Sequence, residues 1–200
     1  MRRKLLLEKI TAGIPQLKHV VLTQKNFPAL TRDKIRESRK NLFALRRQKV
    51  FEKKASGCAS CEITNEGNGW HLHWHVLLTQ KWVDASALSI AWGKLVGQEF
   101  AIVKVKAVDG TEYLREICKY VVKGDQFAKW SPAQIVEFIS AIKTTRLFST
   151  FGKFREVAKY ARAVLAAEKE PCSCPDCGAL DLVHGQDEAH CGRLVEIIYG

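Results

Sequence analysis

Three of the chain's six histidines lie at alternate positions in the stretch GWHLHWHVLL, which spans residues 69–78. Side chains alternate between the two faces of a β-strand, so His71, His73 and His75 would project from the same face. The stretch is rich in aromatic and β-branched residues and follows the turn-forming segment NEGNG at 65–69, which favours a strand. Imidazole is a common metal ligand, so two histidines spaced two residues apart on a strand can bind one ion. The alternative is a half-buried strand whose histidines only face solvent or a polar layer.

A second strand is predicted before this turn, over residues 59–64. The two strands should pair antiparallel, and this pairing brings Glu62 near the histidine face. Cys58 and Cys61 would project from opposite faces of the second strand, so we interpret them as packing residues.

A tyrosine with charged neighbours lies further along, in the stretch EICKYVVK at 116–123. In a helix, Glu116, Tyr120 and Lys123 would share one side. A deprotonated phenol can attack a phosphodiester when a cation offsets the negative charge that grows on the phosphate oxygens. The two stretches together describe a phosphodiester-transfer site in which Tyr120 is the nucleophile and Lys123 steadies the phosphate. The alternative is a surface ion pair beside a half-buried tyrosine.

These motifs resemble those of the HUH endonucleases and, within them, the replication initiators of small rolling-circle plasmids. The family has a first strand that ends in Thr, as in VVLT at 20–23, then a His-hydrophobe-His signature, matched by HWH at 73–75. Its Tyr-x-x-Lys motif is matched by YVVK at 120–123, and one branch has a Glu four residues before the tyrosine, matched by Glu116. The resemblance covers residues 17–160.

The resemblance implies an α+β fold with an HUH palm-like central antiparallel sheet of about five strands, flanked by helices. It also implies Mg²⁺ or Mn²⁺ bound by His73 and His75, and a site with few protein ligands suits Mg²⁺, which keeps several waters. Glu62 is the candidate third ligand, and His71 is its rival.

The resemblance further implies a 5′-phosphotyrosine intermediate on Tyr120 and a free 3′-hydroxyl. Glu116 would activate the water that ends the replication cycle. Tyr113 shares the predicted helix face with Tyr120, two turns away, and we interpret it as a core residue.

The implied partner is single-stranded DNA at a replication origin, which the protein would nick and rejoin during rolling-circle replication. The sequence has no P-loop of the form GxxxxGK[ST], so a host helicase would unwind the DNA and a host polymerase would copy it. An HUH transposase or relaxase with the same chemistry is an alternative function. A further alternative is a non-catalytic, zinc-containing nucleic-acid-binding protein in which the histidines and tyrosines are structural.

Basic charge is concentrated in residues 1–54, which carry 16 Lys and Arg against 4 Asp and Glu, in a chain of net charge +11. A helix is predicted from Thr31 to about Val50 with apolar residues on one side. Such a basic surface favours a polyanion, most often nucleic acid, although a solubilising charged helix is the alternative. The predicted DNA-binding residues are Arg32, Arg36, Arg39, Lys40, Arg46 and Arg47.

The acidic end of the chain holds four of the seven cysteines. The segment CSCPDCG at 172–178 contains a CPxCG knuckle, and AHCG at 189–192 supplies a second half. Thiolates and imidazoles at such spacing bind Zn²⁺ tetrahedrally, although unliganded cysteines are the alternative. The predicted zinc ligands are Cys174, Cys177 and Cys191, with Cys172 or His190 as the fourth. We predict a catalytic domain over residues 1–169 and a small zinc-ribbon-like module over 170–200.

The length of 200 residues and a hydrophobic content of 46% suit one globular domain with a small appendage. Further strands are predicted over 17–23 and 100–108. Further helices are predicted over 84–95, over 111–123, from Ser131-Pro132 onward, and within 151–169. No apolar run approaches the ~18 residues of a membrane span, and the basic start is too short for a signal peptide. We therefore predict a cytoplasmic protein without membrane contact.

Overall fold

A computed structural model describes residues 17–108, 127–156 and 158–159 of the chain. The strands are β1 (Leu17–Thr23), β2 (Gly57–Asn65), β3 (Trp70–Leu78), β4 (Val103–Val108) and β5 (Phe148–Phe151), and the helices are α1 (Arg32–Leu45), α2 (Ala85–Leu95) and α3 (Pro132–Ile142). The strands form one five-stranded antiparallel sheet. The predicted α+β class, with an antiparallel sheet flanked by helices, is therefore confirmed.

The histidine-bearing strand β3 is the centre of the sheet, whose strand order is β4-β1-β3-β2-β5. It pairs with β1 on one side, where His75 lies opposite Val21, and with β2 on the other, where His75 lies opposite Ser60. Both edges of β3 are hydrogen-bonded, so the positions of its side chains are set by two neighbouring strands.

One face of the sheet packs against the helices and forms the hydrophobic core. From β3 it contributes Leu72, Trp74 and Val76, each with 0% exposure. The indole Nε1 of Trp74 donates a hydrogen bond to Oγ of Ser38 in α1 at 2.8 Å. The helices therefore cover the apolar face of β3, while the histidines project from the opposite face.

Two glycines shape the turn between β2 and β3. Gly67 and Gly69 have φ values of 97° and 89°, which L side chains rarely adopt. At Gly69 a Cβ would also lie 2.6 Å from the carbonyl oxygen of Phe27. Phe27 and Trp70 exchange two backbone hydrogen bonds, of 2.8 and 2.7 Å, so this close approach anchors the start of β3.

Two helix starts predicted from the sequence are confirmed. The Asp84 carboxylate accepts hydrogen bonds from the backbone N–H groups of Ser86 and Ala87 at the start of α2. Ser131 and Gln134 form a capping box at the start of α3, with Pro132 at the first helical position.

Among the described helices, none combines the length and the apolar character needed to cross a bilayer.

Two predicted boundaries are wrong, and one strand was not predicted. The basic helix ends at Leu45 instead of near Val50, because the backbone changes to tight turns there and carries Phe51 into the core. The last sheet segment before residue 109 begins at Val103 instead of Phe100, because Ala101 bonds through its backbone to Ser89 of α2. Strand β5, at the edge of the sheet, is absent from the predicted elements.

Several predicted elements lie outside the described residues. They are the helix over 111–123 and the zinc-ribbon-like module over 170–200. Of the helix predicted within 151–169, the described residues 153–156 and 158–159 are helical.

Candidate functional site

The face of the sheet opposite the helices carries polar side chains from four strands. Residues directly opposite each other in the register share a face, so His73 lies between Thr23 of β1 and Glu62 of β2. We call this surface the histidine face, and it includes His19, Thr23, Ser60, Glu62, His71, His73, His75, Lys104 and Lys106.

A chain of buried polar groups runs through this face. His19 Nε2 lies 3.1 Å from His75 Nδ1, and His75 Nε2 lies 2.9 Å from Glu62 Oε2. When Glu62 is ionised, its carboxylate only accepts, so His75 donates to it from Nε2. In the His75 tautomer with hydrogen on Nε2 alone, Nδ1 accepts from His19. Both ring nitrogens of His75 are thus held in place by neighbours from different strands.

The burial of these hydrogen-bonded side chains determines the charge state of the His19 imidazole. The pKa of His19 is lowered from 6.5 to about 4, first because burial penalises the imidazolium and then because His75 and Lys106 lie nearby. His19 is therefore neutral at pH 7. A neutral imidazole retains the lone pair that a hydrogen-bond acceptor or a metal ligand needs.

His71 and His73 continue the row of imidazoles along β3. Their ring centroids are 4.0 Å apart, and those of His73 and His75 are 6.4 Å apart. Burial lowers the pKa of His71, although a hydrogen bond with the backbone of Gln24 and the charge of Glu62 oppose this effect. Its Nε2 is buried and has no hydrogen-bond partner among the described residues, so a neutral nitrogen is available for a ligand.

The histidine face offers donors that suit a divalent cation. Within residues 17–108, 127–156 and 158–159, no three His, Cys, Asp or Glu side chains are arranged as a ready metal site. Glu62 and His75 instead bond to each other. One carboxylate beside several imidazoles, with a buried nitrogen on His71 that has no hydrogen-bond partner among the described residues, nevertheless fits such an ion once the Glu62–His75 hydrogen bond is exchanged for metal bonds.

The predicted arrangement of the β2 side chains is confirmed. Glu62 lies opposite His73 and contacts His75, as the hairpin pairing predicts. Cys58 and Cys61 are buried on opposite faces of β2. Burial and the nearby Glu62 raise the pKa of the Cys61 thiol, so this cysteine stays protonated and acts as a packing residue.

The basic helix α1 lies on the other side of the sheet from the histidines. Its Ile35, Ser38 and Leu42 are buried against the apolar face. Of the predicted DNA-binding residues, Arg36, Lys40 and Arg47 are exposed and Arg32, Arg39 and Arg46 are half-buried. The structure therefore separates the helix predicted to bind DNA from the histidine face.

Sequence reasoning missed His19, Lys104 and Lys106. Lys106 lies opposite His19 and Lys104 opposite Val21, and both lysines are exposed. Their period-2 spacing in VKVKAV, and the even spacing of His19 from Thr23, were the available signals. Placing them beside β3 required the pairing of strands that are distant in sequence.

Acidification is expected to destabilise the wild-type chain more than a His19→Gln variant. The pKa of His19 is about 4 in the folded chain and 6.5 when unperturbed, so between these values the unfolded state binds more protons. The stability associated with neutral His19 is complete above pH 6.5 and decreases as the pH falls toward 4, by about 3 kcal/mol in total. Urea unfolding of both proteins at neutral and acidic pH measures the difference, and identical pH dependences would contradict it.

The predicted catalytic residues Tyr120, Glu116 and Lys123 lie outside the described residues, as does Tyr113. The predicted zinc ligands lie outside them as well; these are Cys172, Cys174, Cys177, His190 and Cys191.

No protein-family model, curated protein or solved structure matches the chain.

Proposed function

We propose that this protein is a rolling-circle replication initiator, a metal-dependent endonuclease of the HUH type that nicks and rejoins single-stranded DNA at an origin. The observation that carries the proposal is the Glu62–His75 contact beside His73, on the polar face of the central strand. The Tyr-x-x-Lys motif at 120–123 supplies the nucleophile that such a face requires.

His73 and His75 would hold Mg²⁺ or Mn²⁺, with Glu62 as the third ligand and His71 as its rival. The bound cation would supply Lewis-acid stabilisation of the negative charge on the phosphate. Glu62 is favoured because it already contacts His75 at 2.9 Å, whereas His71 contacts His73. His19 holds the other nitrogen of His75 and thereby keeps the ring in one orientation.

In the proposed reaction, the deprotonated Tyr120 oxygen attacks the scissile phosphorus. The bond from phosphorus to the 3′-oxygen breaks, a 5′-phosphotyrosyl bond forms, and the leaving 3′-oxygen takes up a proton. Lys123 steadies the phosphate by pairing with a non-bridging oxygen. Attack by the 3′-hydroxyl reverses the step and joins strands, while Glu116 activates water to end the cycle.

Lys104 and Lys106 support an approach of the DNA strand from the β4 edge of the sheet. Both are exposed, and Lys106 lies close enough to lower the pKa of His19. Two cations on the same face as the proposed metal ligands would attract phosphates to it. This contribution is separate from that of α1, which lies behind the sheet.

The wider setting follows from the same proposal. The five-stranded sheet would be the palm of an HUH domain, and a zinc-ribbon-like module at 170–200 would contact protein partners. A host helicase and polymerase would complete replication in the cytoplasm. A transposase or relaxase would use the same site on a different DNA, so the DNA that is cut distinguishes these functions.

Covalent capture tests the proposal. Purified protein is incubated with labelled single-stranded DNA of mixed sequence and Mn²⁺, with and without chelator, and the products are separated on a denaturing gel. The expected result is a chelator-sensitive adduct that peptide mapping places on Tyr120. Folded protein that forms no adduct would refute the nuclease function and favour a non-catalytic, zinc-containing binding protein.

A further inference from the structure

Four arginines gather on the side of the sheet away from the histidines. Arg39 belongs to α1 and Arg46 caps its C-terminal end, while Arg146 and Arg155 precede and follow β5 in the sequence. Arg146 lies close enough to Arg39, and Arg155 close enough to Arg46, for their charges to interact. We call these four residues the rear arginine cluster. Two of them, Arg146 and Arg155, were not among the residues predicted to bind DNA.

Aromatic rings and a hydroxyl hold the two α1 guanidinium groups in place. The Cζ atom of Arg46 lies 3.6 Å from the ring centroid of Phe151 and 5.7 Å from that of Phe43. Arg39 lies 4.9 Å from the Phe43 centroid and donates to Oγ of Ser149 at 3.3 and 3.4 Å. Such stacking orients a guanidinium group without neutralising its charge.

The arginines of the cluster are not paired with carboxylates within the part of the chain that the structure describes. No ion pair between any of the four arginines and a carboxylate is found there. The pKa of Arg39 is lowered by burial and then by Arg146, and that of Arg46 by burial and then by Arg155. Arg39 and Arg46 are half-buried, and each is repelled by a neighbouring exposed arginine. Such a group of cations favours an external anion, because an anion would reduce the repulsion.

The position of β5 side chains places the cluster behind the sheet. Ser149 lies opposite Ala59, and Phe151 lies opposite Gly57, so both belong to the face that packs against the helices. The histidines project from the other face. One DNA segment at the histidines and another at the cluster would therefore lie on opposite sides of the sheet.

The chemistry of the cluster favours duplex DNA over a single strand. Proteins that bind single strands stack bases on exposed aromatic rings. Here Phe151 is 1% exposed, and the arginines occupy the approach to both Phe43 and Phe151. Such a surface offers charge to the phosphate backbone and no platform for bases, and duplex DNA presents the denser row of phosphates.

We propose that the rear arginine cluster is a second DNA site, which binds the phosphate backbone of duplex DNA while the histidine face binds the strand that is cut. The second half of this statement rests on the proposed function. The first half concerns only binding, so the two can fail separately.

The test compares duplex and single-stranded DNA binding by the full chain, measured as fluorescence anisotropy over a series of salt concentrations. The cluster variant is R146E/R155E, since both residues are exposed. The matched control is K94E/K129E, which makes the same change in charge at exposed lysines outside the cluster. We expect the cluster variant to lose about tenfold or more in duplex affinity and about 2 in the salt slope. Its single-strand affinity should match that of the control.

Equal loss of duplex affinity in both variants would overturn the proposal, as would equal weakening of duplex and single-strand binding by the cluster variant. The milder R146A/R155A variant decides the matter if the charge reversal prevents folding. Duplex binding that depends on the cluster, in a protein that forms no Tyr120 adduct, would refute only the nuclease function. If Tyr120 forms the adduct but the cluster variant binds duplex DNA as tightly as the control, only the second site is refuted.

Discussion

Replacing Tyr120 with Phe is expected to abolish covalent attachment to DNA while leaving DNA binding unchanged. The substitution removes only the phenolic oxygen, and without it no phosphotyrosyl bond can form. The loss should exceed about 10³-fold, because the phenolic oxygen of Tyr120 is the proposed nucleophile. A denaturing gel of protein with labelled single-stranded DNA and Mn²⁺ measures the adduct, and anisotropy measures the binding.

Tyr113→Phe is the matched control, since it makes the same chemical change in the same predicted helix. It should form the adduct at the wild-type rate. Undiminished adduct in Tyr120→Phe, with loss in Tyr113→Phe, would show that Tyr113 is the nucleophile. Undiminished adduct in both would rule out tyrosine attack at either position.

Replacing His73 with Ala is expected to weaken Mn²⁺ binding by at least about 100-fold, because changes to residues that merely orient metal ligands already cost about 10–100-fold. His73 is half-buried, and its loss leaves the hydrogen bonds of His75 with His19 and Glu62 in place. The variant should therefore fold. Electron paramagnetic resonance of free Mn²⁺ during a titration measures the affinity without requiring catalysis.

His71→Ala, two residues away on the same face, tests the identity of the third ligand. If Glu62 is that ligand, the His71 variant should bind Mn²⁺ nearly as tightly as the wild type, and Glu62→Gln should bind it weakly. The opposite pattern would assign the role to His71. If the His73 variant binds Mn²⁺ with wild-type affinity, the proposed metal site on the histidine face is refuted.

The central hairpin could be predicted because its signals are local. The period-2 pattern of β3 and the glycines before it define a strand, a turn and a returning strand within residues 57–78. The position of Glu62 beside the histidines follows from that pairing alone. The caps at Asp84 and Ser131 were equally local, since a capping side chain bonds within its own first turn.

The contact of His19 with His75 could not be predicted in this way, since 56 positions separate the two residues in sequence. It depends on the register of β1 against β3, and that register depends on how both strands pack on the helices. Strand β5 has only four residues, too few for a recognisable period. Its pairing with β2 brings Ser149 and Phe151 to Arg39 and Arg46. The rear arginine cluster could not be predicted either, because it also depends on the pairing of strands that are distant in sequence.

The alternation of β3 links the chemistry of this protein to its folding. A slip of β3 by one residue against β1 and β2 would turn Trp74 out of the core and His73 and His75 into it. A misregistered sheet would then lose its buried tryptophan together with its row of imidazoles, so it would be too unstable to persist as an alternative fold. The register that buries Trp74 is therefore the same register that aligns the histidines of the candidate site. An insertion of one residue should therefore destabilise the chain far more within β3 than in the exposed turn around Asn68.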